Sequence, residues 1–354
     1  MGNLNTTITI EQITTSKINE VDFNNLGFGE IFTDYMFECD YIDGKWQAPK
    51  IKPYQPLTLQ PSARVFHYGQ AIFEGMKAYK DDNDDVWLFR PDENFRRLNK
   101  SAVRLAIPEL PESIFFDGIN TLVDLQRDWV QKGIGNSLYI RPFIIATEPA
   151  ISASPANTYK FMIICSPASA YYKGEVQVLF AEKYSRSADG GVGFAKAAGN
   201  YASQFYPTAL ANEQGYQQVV WTDASTHEYL EEAGTMNVFF RVGDKLLTAP
   251  NNDRILDGVT RKSIIQIAKD NNISVEVRRV SVKEIKDAAR NNELKEIFGA
   301  GTAAVVSPIS GFEHQKEKFE LPKLENSYAS MLKEKLLSIQ YNLSNDPHNW
   351  RHKI

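Results

Sequence analysis

Apolar positions along this chain fall into short runs whose period changes from one stretch to the next. Val86-Trp87-Leu88-Phe89 is a brief apolar run of strand type. Pro91 then opens a stretch in which Phe95, Leu98, Ala102 and Leu105 recur at helical spacing until Pro108, and proline suits a first helical turn. The segments 138–145 and 160–165 read as two further strands. From Ser166 to Gly174 the chain turns small and polar (SPASAYYKG), with Pro167 and Gly174 as punctuation. Beyond it come strand-like runs at 176–181, 217–222, 237–241 and 245–248, helical patterns near 258–269 and 282–290, and another strand at 302–306.

Hairpin-like pairs mixed with separate helices predict an α+β fold rather than a regular alternation of strand and helix. No GxGxxG follows a strand, which disfavours a dinucleotide fold. The 354 residues suggest about two domains. We place a smaller N-terminal domain at 1–168, a linker at 169–174 and a larger domain at 175–354.

Composition narrows the function. There are 39 Lys+Arg against 44 Asp+Glu, a net charge of −5 with no basic block, which argues against nucleic-acid binding through phosphate charge. No run approaches 18 apolar residues, so no membrane span is expected, and the N-terminus lacks a basic, then apolar, export signal. Cys39 and Cys165 are too far apart in sequence for a CxxC site and suit a reducing cytoplasm. His67, His227, His314, His348 and His352 show no ligand spacing, so no metal site is expected.

Five segments carry candidate chemistry. In FAKAAGNYA, Lys196 sits among small and apolar residues; desolvation there would favour the neutral amine needed for a Schiff base. A surface lysine in a small-residue loop is an equal reading. In YLEEAGTMNVFF, two adjacent acids enter a glycine turn and a buried-looking strand. One carboxylate would face solvent and the other the interior, where a protonated ring nitrogen could partner it; an exposed acidic turn is the plainer alternative. ILDGVTRKS sets a glycine at a helix start, a ready phosphate cradle with the Thr260 hydroxyl. Adjacent Arg96 and Arg97 would face different sides of a helix, one solvated and one turned inward toward a phosphate. FGAGTAAVV reads as a glycine-rich turn into a strand, able to bind a carboxylate.

Together with HYGQAIFEGMKAY, FRPDENFRRL, YIRPFIIATE and FGAGTAAVVSP, these segments resemble the branched-chain amino acid aminotransferases, members of the fold-type IV family of pyridoxal 5'-phosphate (PLP) enzymes. The resemblance covers nearly the whole chain and implies a two-domain architecture like that of D-amino acid aminotransferase. It implies that Lys196 holds PLP covalently and shuttles protons, that Tyr201 bonds the cofactor's phenolic oxygen and that Glu232 pairs with its ring nitrogen. Arg97, Gly258, Val259 and Thr260 would hold the phosphate, Leu256 would pack on the ring, and Thr235 would support it. Thr302, also near the cofactor, and Ala303 would receive the substrate carboxylate. Phe28, Tyr68, Phe73, Tyr139, Arg141 and Tyr171 would line the substrate pocket, partly across a homodimer interface.

The implied reaction is reversible transfer of the amino group of L-leucine, L-isoleucine or L-valine to 2-oxoglutarate. Hydrocarbon side chains call for an aromatic, apolar pocket, and glutamate needs a polar group near its rim, for which Tyr139 and Arg141 are candidates. Other members of the same fold, a D-amino acid aminotransferase or an aminodeoxychorismate lyase, are alternatives; chain length and the YIRP and FEGMK motifs favour the first reading. A binding protein that keeps PLP without turnover is a third, and the presence of Lys196 argues against it. Two departures stand out. Ala304-Val305-Val306-Ser307 replaces the CxxC of mammalian members, which implies no redox regulation there, and Asp257 stands where relatives often carry proline.

Overall fold

The computed structural model describes residues 7–169 and 176–354. By internal contacts the chain forms two compact units, one of residues up to 169 with Ala195–Ala198 and Ile339–Ile354, the other of 176–194 and 199–338. Tyr171 and the expected linker, Ser169 apart, lie outside the described residues. The sequence boundaries run the second domain on to residue 354. The structure instead returns the chain to the first unit, because Arg351–Lys353 pairs antiparallel with Val86–Phe89.

The first unit is built on a mixed sheet. Its strand order is Thr9–Ile10, Lys50–Pro53, Tyr35–Ile42, Tyr159–Ala168, Ser137–Ala146, Met76–Lys80, Val86–Phe89 and Arg351–Lys353, with Lys45–Trp46 and Ala71–Phe73 as side branches. Strand Ser137–Ala146 follows the two-residue period of a pleat. Leu138, Ile140 and Ile144 are fully buried, while Tyr139, Arg141 and Phe143 share the other, half-buried face. That alternation places two candidate residues side by side. Helix Pro91–Arg104 starts with proline in its first turn and buries Asn94, Arg97, Leu98, Ser101 and Ala102 along one face, at the spacing of an amphipathic helix. It shares a core with Phe37, Phe115, Phe161 and Leu88, each fully buried.

In the second unit the pairing path runs through Ser274–Val277, Lys245–Thr248, Asn237–Val242, Leu294–Gly301, Val305–His314, Val176–Phe180, Gln218–Thr222, Tyr229–Ala233 and Val280–Ser281. Tyr229–Ala233 also pairs back onto Asn237–Val242, Glu232 opposite Asn237, so six strands close into a ring. Phe180, Phe240 and Phe312 fill the core, with the rings of Phe180 and Phe312 stacked at 4.3 Å.

The strands and helices expected from 176 to 290 are present within one or two residues of their expected limits. The strand expected at 302–306 is not. Residues 302–304 form the turn of a hairpin whose arms are Leu294–Gly301 and Val305–His314. Gly299 and Gly301 lie in the first arm, not in the turn. A Cβ on Gly299 would stand 1.9 Å from the sulfur of buried Met236, so glycine there answers a close approach rather than a bend.

Candidate active site

In the first unit, Lys196 is held by its backbone on both sides. Its N–H donates to Ser101 Oγ at 2.9 Å, and its carbonyl accepts from Phe73 N–H at 3.1 Å. Ala195 and Ala197 on either side are buried, and Ala197 bridges to Ile72. Lys196 itself is half-buried, with Nζ 4.7 Å from the centre of the Phe73 ring, within cation–π range. Ser101 Oγ donates in turn to the Arg97 carbonyl at 2.8 Å, tying Lys196 to the helix that carries Arg97.

Arg96 and Arg97 divide as their helical positions require. Arg96 is exposed and pairs with Asp92 and Glu93. Arg97 is buried and forks onto Glu74, Nε to Oε1 at 2.7 Å and Nη2 to Oε2 at 2.9 Å. Glu74 is fully buried and also accepts from Asn94 Nδ2 at 2.7 Å. Burial pushes the Glu74 carboxyl up, but Arg97, Lys196 and Asn94 outweigh it and hold it below the ordinary range.

Tyr139 and Arg141 meet on their shared strand face, Arg141 Nη2 donating to Tyr139 Oη at 3.1 Å. The guanidinium carbon lies 4.8 Å from the centre of the Phe73 ring, so Lys196 and Arg141 are two cations on one aromatic ring. Phe28 meets Tyr139 edge-on at 5.0 Å. Arg141 Nε is buried with no hydrogen-bond partner, a donor that a native fold rarely leaves unused. Gly75 makes room for this group, since a Cβ there would stand 2.1 Å from Tyr139 Oη. Tyr68 is turned elsewhere, 45% exposed and donating to the Ile151 carbonyl.

In the second unit, the two acids of the EEAG segment depart from expectation. Both are buried, because the strand Tyr229–Ala233 is paired on both edges and each acid has its own arginine. Glu231 contacts Arg254, yet burial still leaves its carboxyl raised. Glu232 meets Arg186 at 2.8 Å and accepts from Leu256 N–H at 3.0 Å and Asn237 Nδ2 at 3.2 Å. Asn237 Nδ2 also donates to the Leu256 carbonyl at 3.0 Å.

This arrangement abuts the start of helix Val259–Asp270. Gly258 is its N-cap and offers no side-chain acceptor to the first N–H groups, which no helix satisfies from within. A Cβ on Gly258 would stand 1.9 Å from Asn237 Oδ1. Val259 and Thr260 are buried, and Leu256 is half-buried. Tyr201 is half-buried in the short helix Ala198–Ala202, and Thr235 is exposed in the turn after the two acids. Thr302 and Ala303 occupy the hairpin turn at 302–304. Val305, next to it, has φ +58°, a strained value for a β-branched residue and of a kind that gathers at functional sites.

The sequence reading did not single out Glu74, Ser101, Arg186 or Asn237. Glu74 lies within HYGQAIFEGMKAY and Asn237 within YLEEAGTMNVFF, so the acid that partners Arg97 and the amide opposite Glu232 both stand in the motifs themselves. Arg186 and Ser101 carry no local pattern and become visible only through their contacts. Among the described residues no group of His, Cys, Asp and Glu could hold a metal ion, and no helix is long and apolar enough to cross a membrane.

The first unit holds an amine and a buried arginine, and the second a buried carboxylate and an uncapped helix start; each of these groups taken singly has a use on a phosphorylated, aldehyde-bearing ring. Comparison with known proteins agrees. The profile of the class IV amino-transferases matches residues 71–312. Branched-chain-amino-acid transaminase 1 of Bacillus subtilis is 45% identical over 335 residues, covering 93% of this chain and 94% of that protein. The branched-chain-amino-acid aminotransferase of Mycolicibacterium smegmatis is 41% identical over 350 residues, covering 96% and 95%. Two solved structures share the fold. The branched-chain aminotransferase of Thermoproteus uzoniensis with norvaline has a TM-score of 0.73 at 22% identity, covering 89% of this chain and 98% of its own. The Escherichia coli branched-chain amino acid aminotransferase has 0.72 at 22%, covering 88% and 98%. With a family profile spanning most of its length and relatives above 40% identity end to end, the chain belongs to the class IV aminotransferases.

Proposed function

We propose that this aminotransferase moves the amino group reversibly between L-leucine, L-isoleucine or L-valine and 2-oxoglutarate. Relatives bearing the branched-chain name at 41–45% identity over nearly the full length support this choice over D-amino acids. The cofactor of the family is PLP. When bound, it supplies an electron-withdrawing ring that stabilises charge at the substrate α-carbon and carries the amino group between half-reactions.

The rest falls to the chain's own residues. Lys196 provides the amine that anchors the cofactor and then moves the proton at the substrate α-carbon. Its backbone bonds to Ser101 and Phe73 fix where that side chain starts. Glu232 offers an anion to the ring nitrogen, and Tyr201 donates to the phenolic oxygen. Arg97 and the N–H groups and hydroxyl at Gly258, Val259 and Thr260 take the phosphate, where helix-terminal N–H groups and a positive dipole end favour an anion. Leu256 packs on the ring and Thr235 supports it. Thr302 and Ala303 receive the substrate carboxylate. Phe28, Phe73 and Tyr139 meet the hydrocarbon side chain, Tyr68 serves the same pocket from across the dimer interface, and Tyr171 belongs to the same assignment. The chain works as a cytoplasmic homodimer; the exposed Phe66, Tyr68 and Ile151 support a self-docking face.

The observation that carries the reading is the Phe73 ring with Lys196 on it and Arg141 beside it. One aromatic surface suits leucine, while the buried, unused Arg141 Nε suits the distal carboxylate of glutamate. The test is single-turnover spectroscopy of the cofactor-loaded protein. Leucine, isoleucine, valine and glutamate should each shift its visible band, and Lys196→Ala should lose the response. A band moved by D-alanine and left unchanged by L-leucine would overturn the assignment.

A further inference from the structure

Arg186 is nearly enclosed, its side chain only 3% exposed. Its Nη1 alone lies within hydrogen-bond reach of three acceptors: Glu232 Oε1 at 2.8 Å, the Arg254 carbonyl at 2.9 Å and the Gly193 carbonyl at 3.0 Å. Those carbonyls belong to two different loops. Gly193 precedes Lys196 by three residues, and Arg254 precedes Leu256 by two. The loops approach so closely that a Cβ on Gly193 would stand 2.4 Å from the Arg254 carbonyl oxygen. One guanidinium nitrogen therefore joins the strand bearing Glu232 to both loops.

The neighbouring pair shows what is particular here. Successive strand residues point to opposite faces, and Glu231 accordingly takes a different arginine, Arg254, which also holds Asp189. Of the two buried acids, only Glu232 is bonded to Leu256 and Asn237, beside the uncapped helix start at Gly258.

We propose that Arg186 is a positioning residue: it fixes the plane and negative charge of Glu232 by engaging Oε1, so that the carboxylate is set to accept from the cofactor's ring nitrogen. The inference rests on the role given to Glu232 above. A carboxylate buried without its cation would swing or take up a proton, and an uncharged acid is a poor acceptor for a cationic nitrogen. Arg186 touches neither substrate nor cofactor in this scheme and acts through Glu232 alone.

The test uses the full chain as wild type, Arg186→Gln, Arg186→Lys and Arg254→Gln. Two quantities are read for each at one pH: the dissociation constant for PLP, by titrating resolved protein, and the wavelength of the bound cofactor's visible band. Wild type with leucine is scored first, so failure of the aminotransferase reading shows there and is distinct from failure at Arg186. Arg186→Gln should bind PLP roughly tenfold or more weakly, the effect of losing one charged hydrogen-bond partner, and should displace the band. Arg186→Lys should bring the band back, since charge returns, while binding recovers only in part, since an ammonium on a differently shaped stem does not hold all three acceptors at once. Arg254→Gln should lower thermal stability and leave the band where it is. Wild-type binding and band in Arg186→Gln would overturn the proposal. So would an equal band displacement in Arg254→Gln, or no recovery in a folded Arg186→Lys, because either marks a merely structural pair.

Discussion

Replacing Glu74 by Gln keeps the shape of a fully buried side chain and removes its charge. Arg97 then stays enclosed, 7% exposed, having lost the two-point carboxylate contact at 2.7 and 2.9 Å. Breaking a buried ion pair at one end costs about 3–5 kcal/mol. Glutamine can still accept one bond from the guanidinium, so the lower end applies, about 3 kcal/mol. At about 2–4 °C per kcal/mol for a unit of this size, the melting temperature should fall by about 6–12 °C.

Phosphate changes this figure in a way that tests both partners of Arg97. If the guanidinium also serves a phosphate, an anion at saturating concentration supplies part of the missing charge, and the loss should shrink. The assay is urea unfolding with and without PLP, followed by circular dichroism. A loss below about 1 kcal/mol in the cofactor-free protein would refute the buried-pair reasoning. An equal loss in both conditions would refute the phosphate role of Arg97.

Acid adds a second check. The Glu74 carboxyl titrates below its ordinary 4.5 in the folded chain, since Arg97, Lys196 and Asn94 outweigh the burial that raises it. A carboxyl depressed on folding contributes stability that is present above 4.5 and lost as pH falls through the folded value. The stability gap between wild type and Glu74→Gln should therefore narrow below pH 4.5 and hold steady above it.

Arg141→Met should lower kcat/KM for glutamate by roughly 10–100-fold, the value of a charged hydrogen bond, and leave leucine within about threefold; equal losses for both in half-reaction assays would remove Arg141 from side-chain recognition. Gly299→Ala should destabilise by about 1–3 kcal/mol in urea, because its methyl meets the Met236 sulfur in a packed interior; an unchanged midpoint would show that the sheet yields there. Cys39 and Cys165 are free and buried, with burial pushing the Cys39 thiol up to about 12 and Cys165 higher still. Neither should react with a thiol reagent at pH 8 until the chain unfolds, and rapid labelling of native protein would contradict their enclosure.

Local pattern made much of this legible. The strand of Tyr139 and Arg141 and the helix of Arg97 followed from periods of 2 and 3.6, and Gly258 marked its helix start. Pattern misled where glycine served packing. Gly299 sits inside a strand against Met236, which displaced the expected strand at 302–306 into a hairpin turn. The EEAG acids were misread for a related reason: strand alternation separates their faces but says nothing of whether both faces are covered. Arg186 was invisible because its three acceptors come from segments 7, 46 and 68 residues away. Such a network is written in tertiary contacts alone.

The pairing of Arg351–Lys353 with Val86–Phe89 spans roughly 265 residues, and the second unit's residues are all synthesised within that interval. On the ribosome, Val86–Phe89 emerges early and waits with one edge unpaired until its partner strand is made. An open edge is a template for the wrong strand, and a closure this distant in sequence is slow to form. The second unit, contained within the interval, can reach its fold while the first is still incomplete. The chain should therefore pass through a species with a finished second unit and an exposed Val86–Phe89 edge, the point at which a chaperone or a neighbouring nascent chain would find it.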